Sequence, residues 1–302
     1  MRKSSLLPLP TMLQASLLAM CVWPAGVSPA ERHEHRDLPV RAQETIQKSF
    51  SLPAGAHKAL DIDNVFGSVE VTAGGSNEVQ VTVAKTIYSE SNDSLERAKR
   101  EVTLDIEQHD GALKLYVNGP FRCHCDDCQG ARDDRGYIVK MDFRVVVPAE
   151  IDLRISNVND GDVKVTGVSG EFRVHNVNGR IEMAGVAGSG TVSTVSTVNG
   201  PVKVSFRKNP GTSSDFKTIN GDVELRFASG LSADFRFKTF NGGIYTDFPV
   251  TALPARNVSE EHKGGKLILR ADRSTGARIG SGGPEIKVEN LNGDIRILEN
   301  NE

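Results

Sequence analysis

The sequence lacks the features that mark several large classes of protein. Its 302 residues contain no basic stripe and no interleaving of aromatic and basic residues of the kind that binds nucleic acid. The formal net charge of −3 is too small to imply a partner of opposite charge. After the first thirty residues, no apolar run is long enough for a membrane-spanning helix. We therefore expect no nucleic-acid partner and no transmembrane segment in the mature chain.

Catalytic motifs are also missing from the sequence. The segment Gly167-Val168-Ser169-Gly170 does not have the spacing of a nucleophile elbow, and there is no phosphate-binding loop or zinc-protease motif. We therefore expect that the protein is not an enzyme.

Cysteine is scarce, and three of the four cysteines lie together. Cys123, Cys125 and Cys128 surround His124 within a polar insertion at residues 118–136. Exported proteins normally pair their cysteines, and a bond from Cys128 to either of the other two is less strained than one between Cys123 and Cys125. The same thiolates, with His124, could instead bind zinc or copper. Because the spacing fits no standard metal motif, a disulfide without a cofactor is our first hypothesis and a metal site is the alternative.

The first thirty residues have the pattern of a secretory signal peptide. Arg2 and Lys3 precede an apolar stretch from Leu13 to Val22, and Ser28-Pro29-Ala30 supplies a small-residue cleavage site. This pattern predicts cleavage near Ala30 and export to the periplasm or the cell surface. Residues 31–45 are charged and lack periodicity, which predicts a disordered tail.

Residues 46–150 are predicted to form a β region with one short helix. Asp93 is predicted to cap this helix, with Glu96 three residues later, and Leu95, Ala98 and Val102 would share one face of the helix. Alternation of apolar and polar residues, together with flanking turn residues, predicts strands at Ala59–Ile62, Ser68–Thr72, Val79–Ala84, Ala112–Val117 and Tyr137–Val147.

What the sequence contains in abundance is a repeat. An Asn-Gly step recurs with its glycine at Gly200, Gly221 and Gly242, 21 residues apart each time, and looser copies end at glycines 161, 179 and 293. A fixed period near twenty residues is typical of stacked strands. We therefore predict an all-β fold in which residues 151–302 form a parallel β-solenoid, a β-helix-like stack of roughly 21-residue repeats.

The positions within each repeat have distinct predicted roles. Residues two and four after each glycine are apolar and are predicted to be buried, with Val202, Val223 and Ile244 in equivalent places. The residue between these two apolar positions should face outward, where neighbouring copies alternate in charge. In sequence order these outward residues are Lys164, Glu182, Lys203, Glu224 and Tyr245.

The asparagines are predicted to be structural. Asn199, Asn220 and Asn241 should stack in one column on parallel strands, where their side-chain amides can form a ladder. The longer interval of 51 residues between Gly242 and Gly293 predicts a protruding loop, with a charged loop around residues 259–263 followed by a strand from Lys266 to Arg270.

The repeated Val-Asn-Gly-x-Val/Ile step, behind a signal peptide and a short helix among strands, resembles the putative-adhesin family of bacterial β-strand-repeat proteins. The resemblance extends from about Phe50 to the C-terminus and is best from Ile151 to Thr246. It implies an exported or envelope-associated protein without catalytic activity, and it supplies no catalytic or binding residues. The cysteine-rich insertion departs from the family pattern.

Three functional hypotheses follow from the sequence. The first is a non-enzymatic, adhesin-like binding or structural module of the bacterial cell envelope, whose partner is an envelope protein or a glycan. The second is a metal-linked or redox-linked envelope sensor that uses Cys123, Cys125 and Cys128. The third is a carbohydrate-active β-helix enzyme.

Overall fold

The repeated strands and the strands that precede them assemble into two large mixed β-sheets. The computed structural model of the protein describes residues 38–53, 55, 57–122, 135–188, 193–254, 259–263, 266–270 and 274–300. The strands are β1 (Val40–Ser51), β2 (Ala59–Asp63), β3 (Val69–Gly74), β4 (Glu78–Ser89), β5 (Thr103–His109), β6 (Ala112–Asn118), β7 (Tyr137–Pro148), β8 (Asp152–Asn157), β9 (Val163–Thr166), β10 (Ser169–Gly170), β11 (Phe172–Asn178), β12 (Ile181–Gly188), β13 (Ser193–Asn199), β14 (Val202–Lys208), β15 (Ser214–Asn220), β16 (Val223–Phe227), β17 (Ala233–Asn241), β18 (Ile244–Thr246), β19 (Val250–Leu253), β20 (Ser259–Lys263), β21 (Lys266–Arg270), β22 (Thr275–Ile279), β23 (Glu285–Asn292) and β24 (Ile295–Glu299), and the helix is α1 (Asn92–Glu101).

Each of the two large sheets has eleven strands. Sheet A runs in the order β1-β4-β7-β3-β9-β12-β14-β16-β24-β18, with β10 paired to β12. Sheet B runs in the order β19-β22-β17-β23-β15-β13-β11-β8-β2-β6-β5, and β20 and β21 form a separate hairpin. No helix within the described residues is long and apolar enough to cross a membrane.

The prediction of a parallel β-solenoid is wrong. Sheet A contains the antiparallel pairs β1–β4 and β4–β7, and sheet B contains the antiparallel pairs β5–β6, β17–β22 and β19–β22. The described strands therefore form two open, mixed sheets and not a parallel solenoid, although the strands of the repeat pair with one another in parallel. The physical reason is that the 21-residue period governs only the strands that carry the repeat, whereas the N-terminal segments and the long C-terminal interval fold back on themselves as antiparallel neighbours.

The hydrophobic core lies between the inward faces of the two sheets. Rings from the two sheets meet directly: Phe206 of β14 contacts Phe216 of β15 edge to face at 6.2 Å, and Phe227 of β16 contacts Phe235 of β17 at 5.8 Å. Val223 is fully buried, as predicted. Burial of these apolar side chains between the sheets is the main stabilising contribution to the fold.

Each repeat contributes one strand to each sheet, and we call such a pair, joined at its Asn-Gly step, a rung. The asparagine ladder is confirmed, because each Nδ2 donates a hydrogen bond of 2.8 Å to Oδ1 of the neighbouring asparagine. The spatial order differs from the order in the sequence, however. It runs Asn159, Asn178, Asn199, Asn220, Asn292 and then Asn241.

The copy of the repeat that comes last in the sequence therefore lies, in space, between the rung of Asn220 and the rung of Asn241. Strand β23 pairs in parallel with β15 on one side and with β17 on the other, and β24 lies likewise between β16 and β18. The predicted column of Asn199, Asn220 and Asn241 is therefore interrupted by Asn292. On the outer face, the predicted charge alternation gains Arg296, which lies between Glu224 and Tyr245.

The terminal position also changes the burial of one predicted core residue. Ile244 is 36% exposed, whereas its equivalents Val223 and Ile295 are completely buried. The reason is that β18 is the last strand of sheet A, so that no further rung among the described residues covers it. The prediction that Ile244 is buried is therefore wrong.

The short helix is confirmed, with a different cap. α1 begins after Ser91, whose side chain accepts a 3.2 Å hydrogen bond from the backbone N–H of Ser94. The predicted cap, Asp93, lies instead in the first turn, where an acidic side chain is favourable. Ala98 and Val102 are buried and Leu95 is half-buried against the core, as the predicted apolar face requires.

Two predicted segments differ from the structure. Strand β1 begins at Val40, inside the predicted tail of residues 31–45, and pairs along its whole length with β4. Its side chains are largely exposed, so the alternation that reveals a half-buried strand is missing from its sequence. The predicted protruding loop after Gly242 contains β19, β20, β21 and β22. Of these, β21 coincides with the predicted strand from Lys266 to Arg270, whereas the predicted charged loop at residues 259–263 is β20.

Candidate binding surface

The rung formed by β17 and β18 ends the repeat stack at an open sheet edge. β18 pairs with β24 on one side, and no other strand in the described ranges pairs with it. In sheet B, β22 covers only residues 233–237 of β17. The backbone from Lys238 through Thr246 is therefore paired on one side only among the described strands, and we call this segment the terminal edge. Unpaired edges of this kind are templates for association with another chain.

Exposed apolar side chains are concentrated at this end of the molecule. Phe240 is 73% exposed, Tyr245 is 54% exposed and Leu291 is 45% exposed. Of the six large hydrophobic residues that are exposed in the described part of the chain, five lie on β17, β18, β19 or β23; the six are Val146, Phe240, Ile244, Tyr245, Val250 and Leu291. Phe240 and Leu291 are neighbours on sheet B, and Ile244 and Tyr245 lie across the Asn-Gly turn on sheet A. Clustered exposed apolar residues mark interaction sites more often than isolated ones do. We call Phe240, Ile244, Tyr245 and Leu291 the terminal surface.

Two residues of the terminal surface, Leu291 and Phe240, form the end of an apolar stripe on sheet B. The residue before each ladder asparagine is apolar, and the pairing of the strands places these residues side by side. In spatial order they are Val158, Val177, Val198, Ile219, Leu291 and Phe240. The first four are half-buried and the last two are exposed. A depression of about 300 Å³ lies over Ile219, Leu291 and Phe240.

Charged side chains border this depression. Lys217 and Lys238 flank Glu289 on the neighbouring strands, and the Lys217 ammonium lies 3.6 Å from the Glu289 carboxylate. Burial, followed by the charge of Glu289, raises the pKa of the nearby Asp215 carboxyl above its usual value. An apolar floor with a charged rim is the usual composition of a protein-binding surface.

Arg296 positions the aromatic side of the terminal surface. Its guanidinium lies 5.8 Å from the ring centre of Tyr245 and donates hydrogen bonds to Asp222 at 2.9 Å and to Asp294 at 2.7 Å. A backbone hydrogen bond from Asp294 and the side-chain bond from Arg296 lower the pKa of Asp222. Tyr245 is therefore presented on a fixed cation, although half of the residue remains exposed.

A second depression, of about 400 Å³, lies on the outer face of sheet B. Its charged groups are largely engaged with one another: Arg173 lies 2.8 Å from Glu171, His57 lies 2.7 Å from Asp152, and Arg154 lies 4.0 Å from Asp61. Burial raises the pKa of Asp61, and the nearby Arg154 opposes that shift. Because acids and bases alternate and pair, this face offers no strong field of one sign to a ligand.

The cysteine cluster lies outside the described residues. Cys123, His124, Cys125 and Cys128 fall in the range 123–134, so their predicted disulfide or metal site stays a prediction. Within the residues that the structure does describe, no group of three or more His, Cys, Asp or Glu side chains is arranged to bind a metal.

The start of the cysteine-rich insertion is anchored on sheet B. Arg122 stacks on Tyr116 with 4.3 Å between the guanidinium carbon and the ring centre, and it forms an ion pair of 2.9 Å with Asp63.

The terminal surface was missed at the level of sequence, although a signal for it exists. The apolar residue before each asparagine follows a polar residue and precedes another, so it could have been recognised as an outward position. The largest of these residues, Phe240, also stands before the irregular interval, where the regular period ends.

No protein-family model matches the chain, and no curated protein matches it. Among solved structures, a putative cell adhesion protein from Clostridium sporogenes aligns with a TM-score of 0.38 and 8% identity, over 85% of this chain and 100% of that one. A putative adhesin from Bacteroides fragilis aligns with a TM-score of 0.37 and 11% identity, over 85% of this chain and 97% of that one. A putative lipid binding protein from Parabacteroides distasonis aligns with a TM-score of 0.27 and 10% identity, over 84% of this chain and 96% of that one. Likeness at this level assigns neither a family nor a ligand.

Proposed function

We propose that the protein is a non-enzymatic, adhesin-like binding module of the bacterial cell envelope, and that it binds a protein partner through the terminal surface. The observation that carries this proposal is the coincidence of an open sheet edge with the exposed side chains of Phe240, Ile244, Tyr245 and Leu291. An open sheet edge or a group of exposed apolar side chains, if it had no partner, would promote aggregation. Together they form a surface suited to a partner.

The energetics favour an interface centred on the two aromatic residues. Aromatic side chains supply large contact areas at low cost in conformational entropy and are enriched among the residues that dominate binding. Phe240 stands beside the apolar depression, and Tyr245 is held on Arg296. The charged depression of sheet B is the weaker candidate, because its arginines already have carboxylate partners.

The proposal is tested by retention of envelope components on immobilised protein. The variant Phe240→Ser/Tyr245→Ser removes the two aromatic rings from exposed positions and should leave the fold intact. Val146→Ser is the matched control, because Val146 is an exposed apolar residue of β7, away from the terminal surface. We expect the unaltered protein and the control to retain the same envelope protein and the double variant to lose it. Equal retention by all three would overturn the proposed surface.

Export is part of the same proposal and has its own test. If residues 1–30 act as a signal peptide, C-terminally tagged protein should be recovered from the periplasmic or surface fraction with its new N-terminus near Glu31. N-terminal sequencing of the tagged protein measures this. Recovery of the uncleaved chain from the cytoplasmic fraction would contradict the proposed location.

A further inference from the structure

We infer that the terminal edge accepts a parallel β-strand from the partner, and that this strand carries an Asn-Gly-x-Val/Ile sequence like that of the repeats. This inference rests on the proposed function and identifies the part of the partner that is bound. It follows from four features: an internal precedent, the backbone hydrogen-bonding groups of the edge, the direction of the asparagine ladder and the space at the stacked glycines.

The precedent is the insertion of β23 and β24. This rung follows its spatial neighbour Asn220 by 72 residues and its other neighbour Asn241 by 51 residues. It nevertheless pairs in parallel on both sides and in the register of the other copies. A rung therefore needs no short covalent connection to its neighbours, and a segment of another chain could dock in the same way.

The backbone groups of the edge define where the strand would bind. Between successive rungs, the N–H of the ladder glycine donates to the carbonyl of the next asparagine, as from Gly221 to Asn292 at 2.9 Å and from Gly293 to Asn241 at 2.8 Å. The residue two places later donates likewise, as from Ile295 to Gly243 at 2.9 Å. By this pattern the N–H groups of Gly242 and Ile244 point off the edge, where no described strand pairs with β18.

The asparagine ladder sets the direction of the incoming strand. Each asparagine donates its Nδ2 to the Oδ1 of the rung before it, and the last bond runs from Asn241 to Asn292. The Oδ1 of Asn241 therefore faces the open side as an acceptor, and none of the described side chains donates to it. An asparagine of a parallel strand in the same register would supply that donor and would extend the ladder by one rung.

The space at the ladder position selects glycine as the next residue. A Cβ on Gly221 would lie 2.2 Å from the carbonyl oxygen of Gly200, and one on Gly242 would lie 1.9 Å from that of Gly293. An incoming residue stacked on Gly242 meets the same restriction, because its neighbour is again a backbone carbonyl. A Val or Ile two residues later would cover Ile244, which is exposed only for lack of the next rung.

The experiment uses a synthetic peptide with the sequence of residues 285–299, the inserted rung, titrated into the full mature protein by calorimetry. We expect saturable binding, weakened about tenfold or more when the peptide carries Gly293→Val. In the protein, Ile244→Pro removes the N–H that points off the edge, a change that edge strands tolerate. We expect Ile244→Pro to abolish saturable binding, whereas Ile244→Val, which keeps the N–H and removes one methyl group from the contact, should weaken binding by less than about tenfold.

Three outcomes would overturn the inference. The first is no saturable binding of the peptide. The second is equal binding to the Ile244→Pro protein, which would mean that the peptide displaces the protein's own inserted rung. The third is a dimer of the unaltered protein that Ile244→Pro converts to a monomer, because a second copy would then occupy the edge. Loss of the envelope partner in the Phe240→Ser/Tyr245→Ser variant but not in Ile244→Pro would leave the proposed function standing and would reject only the strand.

Discussion

The side-chain amide of Asn292 donates a 2.8 Å hydrogen bond to Oδ1 of Asn220, which lies 72 residues earlier in the chain. Asn241 in turn donates to Asn292. The segment between Gly242 and Gly293 therefore carries the chain out of the stack and back again, so that its last repeat can enter one place before the end. The rung left at the open edge is that of Phe240 and Ile244, which is why the exposed apolar residues gather there.

The close stacking of the ladder glycines predicts an intolerance to any side chain. Gly221→Ala would place a Cβ 2.2 Å from the backbone oxygen of Gly200, and Gly221 has a φ of +152°. Because backbone cannot move aside as a flexible side chain can, we expect a loss of about 2–4 kcal/mol in the free energy of unfolding, measured by denaturant titration. Gly211→Ala is the control, since a Cβ there meets nothing within 4 Å.

Gly211→Ala should change the free energy of unfolding by less than about 0.5 kcal/mol. Similar effects at Gly211 and Gly221 would show that the ladder does not require a bare backbone.

Inward and outward positions of one strand should differ sharply in their tolerance to substitution. Val223 is fully buried, so Val223→Asp places an unpaired charge in the core and should cost about 3–5 kcal/mol. Glu224 faces outward and pairs with Arg226 at 2.8 Å, so Glu224→Gln should cost less than about 1 kcal/mol. Thermal unfolding of the two variants measures the difference. A loss at Glu224 as large as that at Val223 would reverse the assigned faces of β16.

The local pairing of the repeats could be predicted from the sequence because a period of two fixes which side chains face inward. Val202 and Val223 are neighbours in the core, and Lys203 lies opposite Glu224, as the pattern requires. Which rung lies next to which is a different question. The spacing of 51 residues before Gly293 is compatible with several positions in the stack. The sequence period therefore does not predict that the last rung lies beside Asn220.

The mixed character of the sheets was hidden for a related reason. Alternation along β4 or β7 indicates a strand but does not indicate the direction of its partner. Ile244 and Phe240 are exposed because their rung lies at the end of the stack. Their exposure therefore depends on the spatial order of the rungs, which the sequence does not predict. By contrast, the sequence does show an apolar residue at the outward position before each asparagine, and this pattern is enough to predict the apolar stripe.

The hydroxyl of Tyr137 couples α1 to β7 in a way that predicts a dependence on pH. It donates to the carboxylate of Glu101, and burial, reinforced by this bond, raises the pKa of Tyr137 to about 12. A raised pKa means that the neutral hydroxyl stabilises the fold fully below the unfolded value near 10, and that this contribution is lost as the pH rises through about 12.

Tyr137→Phe should therefore reduce the decline of stability between about pH 10 and 12, and it should lower stability at neutral pH. Urea denaturation at several pH values measures both changes. A variant with the same pH dependence as the unaltered protein would contradict the assigned role of the hydroxyl.

A further prediction concerns the cysteine cluster, which lies outside the described residues. A disulfide consumes two of Cys123, Cys125 and Cys128, whereas a metal site needs reduced thiolates. We expect protein purified from the periplasm without reductant to show one reactive thiol after unfolding and no stoichiometric zinc or copper. Thiol titration and elemental analysis measure these quantities. Three thiols with one equivalent of metal would favour the sensor hypothesis.

The central claim, that the terminal surface is where a partner binds, is tested most directly by hydrogen–deuterium exchange of the mature protein with and without its envelope partner. We expect new protection in the segment Phe240–Thr246, which contains the N–H groups that point off the edge, and little change around Arg154 and Arg173. Protection confined to the charged depression of sheet B, with Phe240–Thr246 exchanging as in the free protein, would contradict it.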